Sequence, residues 1–472
     1  MRSAHHGRFW RQVEFLRQQF FQDGGLPFTD VLTAECISKV VEEIQLSWNE
    51  CVYTPLVTLW VFLGQVLSAD PSCGAAVARL IAHRVARGLK ACSAETGAYC
   101  LARKRLPERF FSAIAFLVGR NLDTRVDSQW LWKGRRVYLY DGSTVSMPDT
   151  EANRKEYPLT YNQKPGTAFP VARLGALISL SCGAILNLGI CRYAGKGQSE
   201  LGMLHNLWDM LRQGDILVAD RLMCAWTEMV MLQQRGIDCV FRLTSHRAAD
   251  FRLGTRLGKD DHIIKWVKPR KPRSIDRKTY DALPEFLLVR ECRVRISQPG
   301  FRVRTLVIAT TLLNADEYTK DDLAQVYRAR WNEELDLRSI KTTMQMDMLR
   351  CMAPEQVRKE IWTHVLAYNL IRTIMAQAAS EHGIAPRTIS FKGTIQVLEA
   401  FQPVIAQQAD RGVEHLDTLY QQMLHAIAQH RVADRPDRFE PRMTKRKPKS
   451  YDRLTRPRQA IKREILQRDT KS

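Results

Sequence analysis

The sequence predicts an α/β fold built on a mixed β-sheet. Short apolar runs of β type cluster between residues 135 and 243. Two of them, 171–180 and 184–192, are split only by Ser181-Cys182-Gly183, a hairpin signal. Segments of helical period then alternate with further apolar runs, giving the order β-β-β-α-β-α-β. Hairpin-linked strands followed by crossover helices require a sheet with both antiparallel and parallel neighbours.

The flanking regions differ. Residues 1–130 predict a helical N-terminal domain, with apolar residues at three-and-four spacing over 10–21, 37–46, 56–67 and 75–89. The α/β domain follows over 131–430. Its strands are 137–140, ending at Asp141-Gly142, then 171–180, 184–192, 215–220 and 239–243. Its helices are 200–212, stopped by Gly214, and 227–235, closed by Gly236. Residues 245–314 interrupt the alternation and read as a β-rich insertion, with strands at 285–294 and 302–310. A basic run over 265–278 holds seven Lys/Arg and one Asp. One long helix over 316–344 comes next, then helices at 354–379, 394–401 and 416–431. Residues 431–472 form a basic tail, with 15 Lys/Arg against 6 Asp/Glu and proline breaks that argue against a packed core.

Charge narrows the function. The 472 residues carry 71 Lys/Arg and 50 Asp/Glu, a formal charge of +21. Such an excess fits a nucleic acid or an anionic membrane surface. No stretch reaches the 18 or so apolar residues of a membrane span, and the N-terminus lacks the apolar segment of a signal peptide. Nucleic acid is therefore the expected partner, with no membrane. The 11 cysteines are scattered without a C-x-x-C, which argues against zinc and for core thiols in a reducing, cytoplasmic compartment.

Two acids close apolar strands, Asp141 after VYLY and Asp220 after ILVA. A carboxylate there is costly unless a metal or cation offsets its desolvation. The plainer reading of Asp141-Gly142 is a turn pair. On the long helix, Tyr327, Arg330, Glu334 and Lys341 fall at roughly 0°, −60°, −20° and −40° on the helical wheel, one stripe about 21 Å long. Arg338 lies near that stripe and Trp331 borders it, whereas Glu333 points roughly 100° away from Glu334. The stripe reads either as a solvated face with ordinary ion pairs or as a phosphate track beside a metal. Two strand-borne aspartates and one helix-borne glutamate suffice for two-metal chemistry. Hard oxygen ligands favour Mg²⁺, with Mn²⁺ as a substitute.

The spacing Tyr327-x2-Arg330-x3-Glu334-x6-Lys341 resembles the signature of the insertion-sequence-four family of DDE transposases. The segments YDGSTVSMPDT around Asp141, VADRLM around Asp220 and RKPKSYDRLTRPR over 446–458 are similar to segments of that family. The likeness spans about 135–458. It implies a ribonuclease-H-like catalytic core, with Asp141 on the first strand, Asp220 on the fourth and Glu334 on the last helix. It implies cut-and-paste DNA transposition with two divalent ions per site held by Asp141, Asp220 and Glu334. A homodimer would hold two terminal inverted repeats and capture target double-stranded DNA, at the bacterial nucleoid. Tyr327, Arg330 and Lys341 would contact phosphates of the transferred end, with Arg338 beside them. Trp331 would stack on a flipped base, and Trp266 is a second stacking candidate or else a core or surface residue. The competing readings are a catalytically inactive DNA-binding relic or inhibitor of transposition, and a simple metal nuclease on a similar core.

Overall fold

The computed structural model describes residues 32–432 and 456–469, apart from 33, 49–50, 87, 160–165, 167, 194, 196–199, 273–274, 296–304 and 409–410. The expected helix at 10–21 and most of the basic tail lie outside the described residues. The N-terminal helices are α1 (Ala34–Glu43), α2 (Pro55–Leu67), α3 (Cys73–Ala86), α4 (Gly97–Arg105) and α5 (Glu108–Thr124). Then come β1 (Val137–Ser146), α6 (Glu151–Glu156), β2 (Val171–Ser179), β3 (Ile185–Arg192), α7 (Glu200–Leu207), β4 (Ile216–Ala219), α8 (Trp226–Gln234) and β5 (Asp238–Arg242). β6 (Thr255–Gly258), β7 (Asp261–Val267), α9 (Arg277–Asp281), β8 (Phe286–Arg295) and β9 (Thr305–Thr310) follow. The chain continues through α10 (Lys320–Ala329), α11 (Trp331–Arg338), α12 (Pro354–Glu381), α13 (Phe391–Gln407), α14 (Val413–Gln429) and α15 (Arg458–Asp469).

The described strands form one nine-stranded mixed sheet in the order β3-β2-β1-β4-β5-β9-β8-β7-β6. β1, β2 and β3 are antiparallel neighbours, while β1, β4 and β5 run parallel. The expected β-β-β-α-β-α-β order is present. The insertion differs from expectation in its extent and place. It contributes four strands rather than two, and β9 pairs with β5, so these strands prolong the central sheet.

Strand alternation divides the core into two layers. From β1, Val137 and Leu139 join Ile216 and Val218 of β4 beneath Leu323, Val326 and Tyr327 of α10. On that same face, Ala176 and Ile178 of β2 pack with α12 and the N-terminal helices. Tyr138 and Tyr140 point the other way, toward Leu204 of α7 and Met229 of α8. The central helix α12 is buried along nearly its whole length. Its Asn369 satisfies the Ile185 backbone on both sides, at 2.9 Å each, and also donates to Ala115.

The end of the tail also departs from expectation. Pro457 precedes α15, and a proline is favoured at a helix start as well as at a break. Arg458 anchors α15 by donating to Asp149 Oδ2 at 3.1 Å and lying over the Phe169 ring at 4.1 Å.

Candidate active site

Asp141 and Asp220 are neighbours because β1 and β4 are parallel. Tyr140 and Ala219 are register partners, so the residue after each lies on adjacent strand paths about 4.8 Å apart. By alternation both carboxylates belong to the face covered by α10. β1 runs on to Ser146, so Asp141-Gly142 is mid-strand, and the turn-pair reading falls.

The helix expected over 316–344 is divided. It starts at Lys320 under a capping box formed by Thr319 and Asp322. At Arg330 the ladder tightens to three-residue bonds, Arg330 N to Tyr327 O and Glu333 N to Arg330 O. After α11 comes a π turn, Ser339–Thr343. Such a turn shifts the phase of the residues after it, and π turns recur at functional sites. Lys341 returns to the site: its Nζ donates to Ser143 Oγ at 3.1 Å, two residues beyond Asp141 on β1. The chain beyond is laid against the end of β1, where Ser146 N donates to Asp347 O and Leu349 N to Ser146 O.

Arg330 joins the two halves of the site. Its guanidinium stands 3.3 Å from Asp141 Oδ2 and 3.3 Å from Glu334 Oε1. Tyr327 is only 7% exposed and packs next to Arg330. Burial raises the Asp141 carboxyl above its ordinary range; the Gly142 N–H and Arg330 oppose the rise, and the charges of Asp220 and Glu334 add to it. Burial also lowers the Lys341 ammonium. Asp220 Oδ1 accepts from Leu222 N at 2.7 Å. Asp141, Asp220, Tyr327, Arg330, Glu334 and Lys341 thus converge, while Trp331 is half-buried and Arg338 is exposed.

Asp141 and Glu334 grip a guanidinium in this arrangement. Among the described residues no three His, Cys, Asp or Glu side chains form a group ready to hold an ion. The donor chemistry still fits a hard divalent cation, because every acid here offers oxygen and their crowded charge is already offset by a cation.

Two further acids lie near Asp141: Glu333, which the helical wheel turned away from Glu334, and Glu200, which sequence reasoning did not single out. Glu333 is fully buried with both carboxyl oxygens unpartnered, and burial, then Asp141, pushes it well above the carboxylate range. Glu200, at the start of α7, lies against Gly142. Trp266 is a core residue: it is 1% exposed, donates to Glu291 at 2.8 Å and has Arg247 over its ring.

Behind the site Asp336, two residues after Glu334, is 1% exposed and accepts from Arg372 and Arg387. Arg387 also donates to the Ser179 and Leu180 carbonyls, and Arg372 to the Tyr368 hydroxyl. This ties the Glu334 helix to α12 and to the end of β2.

This mixed-sheet α/β core carries acids on β1, after β4 and on a later helix, and its class is that of the DDE transposases, a nuclease and transesterase class. The family model of the transposase DDE domain matches residues 132–370, and the chain belongs to that family, in its insertion-sequence-four group. It is 23% identical over 340 residues to the transposase InsG for insertion sequence element IS4 of Escherichia coli (strain K12), covering 70% of this chain and 72% of that one. It is 36% identical over 69 residues to the transposase for insertion sequence element IS421 of Escherichia coli, 15% of this chain and 19% of that one. The piggyBac transposase synaptic complex with hairpin DNA aligns over 88% of this chain and 85% of its own, at 10% identity and a TM-score of 0.42.

Proposed function

We propose that this DNA transposase cleaves and rejoins insertion-sequence ends through a ribonuclease-H-like core in which Asp141, Asp220 and Glu334 are the catalytic acids. One observation carries the reading: Asp141 and Asp220 follow register partners on parallel strands, and Arg330 links Asp141 to Glu334. The order β3-β2-β1-β4-β5, with acids on β1, after β4 and on a later helix, supports the core assignment. Two Mg²⁺ ions held by the three acids, with Mn²⁺ as a substitute, supply activation of the attacking oxygen and stabilisation of the leaving one.

The remaining roles belong to side chains. Arg330 keeps the carboxylates together and, with Lys341 and Tyr327, binds phosphates of the transferred end. A guanidinium suits this because its forked donors match phosphate oxygens. Arg338 extends the cationic track outward, and Trp331 stacks on an unpaired base at the end. The helical part, 1–130, contacts the terminal inverted repeat, the catalytic domain spans 131–430 with its insertion at 245–314, and the tail, 431–472, adds phosphate affinity. A homodimer engages two double-stranded ends and then target DNA, at the nucleoid in the bacterial cytoplasm. The described helices include none long and apolar enough to cross a membrane.

A strand-transfer assay with labelled ends and a target plasmid tests the reading. Metal-dependent cleavage followed by joining is the expected result. Cleavage without joining would leave a nuclease, and binding without cleavage a relic.

The basic run gives a separate prediction. Arg270, Lys271 and Lys278 are exposed in the insertion. Neutralising all three should weaken DNA binding and reduce the slope of log affinity against log salt by about 0.9 for each phosphate that is no longer neutralised. Fluorescence anisotropy over a salt series measures this, and an unchanged slope would make the run ordinary solvated surface.

A further inference from the structure

We infer that Glu200 is a fourth carboxylate of the catalytic acid cluster, engaging the divalent cation from the face of the sheet opposite Arg330. The inference rests on the proposed active site and adds a residue to it.

A row of glycines creates the approach. Gly142 on β1, Gly175 on β2 and Gly189 on β3 are successive register partners across the sheet. A Cβ on Gly175 would meet the Tyr140 hydroxyl at 2.5 Å and Met203 Cε at 3.1 Å, and one on Gly189 would meet Met203 Cβ at 3.1 Å. These bare positions let α7 sit close against the sheet. The Tyr140 hydroxyl, from the residue before Asp141, donates to the Glu200 carbonyl at 2.6 Å and fixes the first residue of α7. The Glu200 side chain then occupies the space a Gly142 Cβ would need, with Cδ and Oε1 each 2.6 Å from that position. Gly142 therefore accommodates a carboxylate one residue along from Asp141, on the other face of the sheet.

The sheet does not seal Glu200 off. Pairing of β1 with β4 covers Val137 to Tyr140 and stops at Ala219, which leaves that edge of β1 without a strand partner from Asp141 until Met348 bridges Ser146. The charges of both Asp141 and Asp220 act on the Glu200 carboxyl. Its ion-pair partner Arg173 is 4.0 Å from Oε1, a loose contact compared with the 2.6 Å of the buried Arg290–Asp261 pair. A half-buried carboxylate that feels the charge of two others with so loose a counter-ion gains by sharing a divalent cation.

The test is Mn²⁺ binding to the full-length chain without DNA, read by electron paramagnetic resonance, for wild type, Glu200→Gln, Glu334→Gln and Gly142→Ala. Glu200→Gln keeps the backbone carbonyl that Tyr140 uses, so the fold should stand, as an unchanged urea midpoint in chelator will show. We expect Glu200→Gln to weaken Mn²⁺ binding about tenfold or more, in the range of supporting residues at metal sites. Gly142→Ala, which displaces the carboxylate without removing it, should also weaken binding. If Glu334→Gln loses Mn²⁺ while both Glu200→Gln and Gly142→Ala bind within twofold of wild type, the role of Glu200 is overturned and the three-acid site stands. If Glu334→Gln also binds like wild type, the underlying site reading fails and this inference with it.

Discussion

Glu334→Ala is expected to hold DNA ends with nearly wild-type affinity and to leave them uncut. The side chain is partly exposed and its ion pair is with Arg330. Its removal therefore leaves no buried carboxylate without a partner, and the fold has little to lose. Chemistry loses far more. Ion-assisted stabilisation at a phosphodiester is worth several kcal/mol, and each 1.36 kcal/mol is tenfold, so the cleavage rate should fall by at least about a thousandfold. Binding draws on cations that the substitution leaves in place, including Lys341 and the exposed insertion residues. Removing Glu334 also frees one side of the Arg330 guanidinium, so affinity for an end could only hold or rise. Single-turnover cleavage and electrophoretic mobility shift on the same preparation check both halves. A variant cutting at the wild-type rate would remove Glu334 from the site.

Much of this site was legible because acids interrupt apolar patterns. Asp141 and Asp220 each follow four apolar residues, and the pairing of β1 with β4 brings those two interruptions side by side. The 3.6-residue period placed Tyr327, Arg330 and Glu334 on one stripe, and all three lie together in the fold. Lys341 reached the site by a route the wheel does not describe, because a π turn intervenes and no residue type announces one. Glu200 was invisible for a different reason. Its nearness to Asp141 depends on α7 lying over three glycines that sit on separate strands, an arrangement that exists only once register is set.

The insertion shows the same limit. β7 holds a buried Trp266 between exposed Lys265 and Val267, so the strand was hidden within a run read for its charge. Its alternation becomes meaningful only when β8 covers one edge through pairs such as Lys265 with Leu288. The N-terminal helices were visible as amphipathic segments, yet their share of one core with α12 is a long-range fact. Sequence period reports which face of an element is buried and leaves open what buries it.

Asp336→Ala should destabilise the protein by about 3–5 kcal/mol, the usual cost of removing one member of a buried ion pair. The carboxylate is the shared acceptor for Arg372 and Arg387, whose side chains are 6% and 15% exposed. Deleting it leaves two guanidinium groups in a poorly solvated place with one negative charge fewer. Arg387 keeps its backbone acceptors on β2 and Arg372 keeps Tyr368, so hydrogen bonding survives in part while the charge is uncompensated. Arg277→Ala is the matched control, since its pair with Asp281 has side chains 76% and 51% exposed and should matter by less than about 1 kcal/mol. Urea unfolding followed by circular dichroism compares the two, and a loss below about 1 kcal/mol for Asp336→Ala would mean that water enters and solvates the two arginines. The same variant bears on function, because Asp336 fixes the helix two residues beyond Glu334 to the strand that pairs with β1. Cleavage by the folded fraction should therefore fall even though Asp336 touches neither DNA nor the acid cluster. A folded Asp336→Ala protein with full activity per folded molecule would show that Arg330 and the β1 contacts alone hold Glu334 in register.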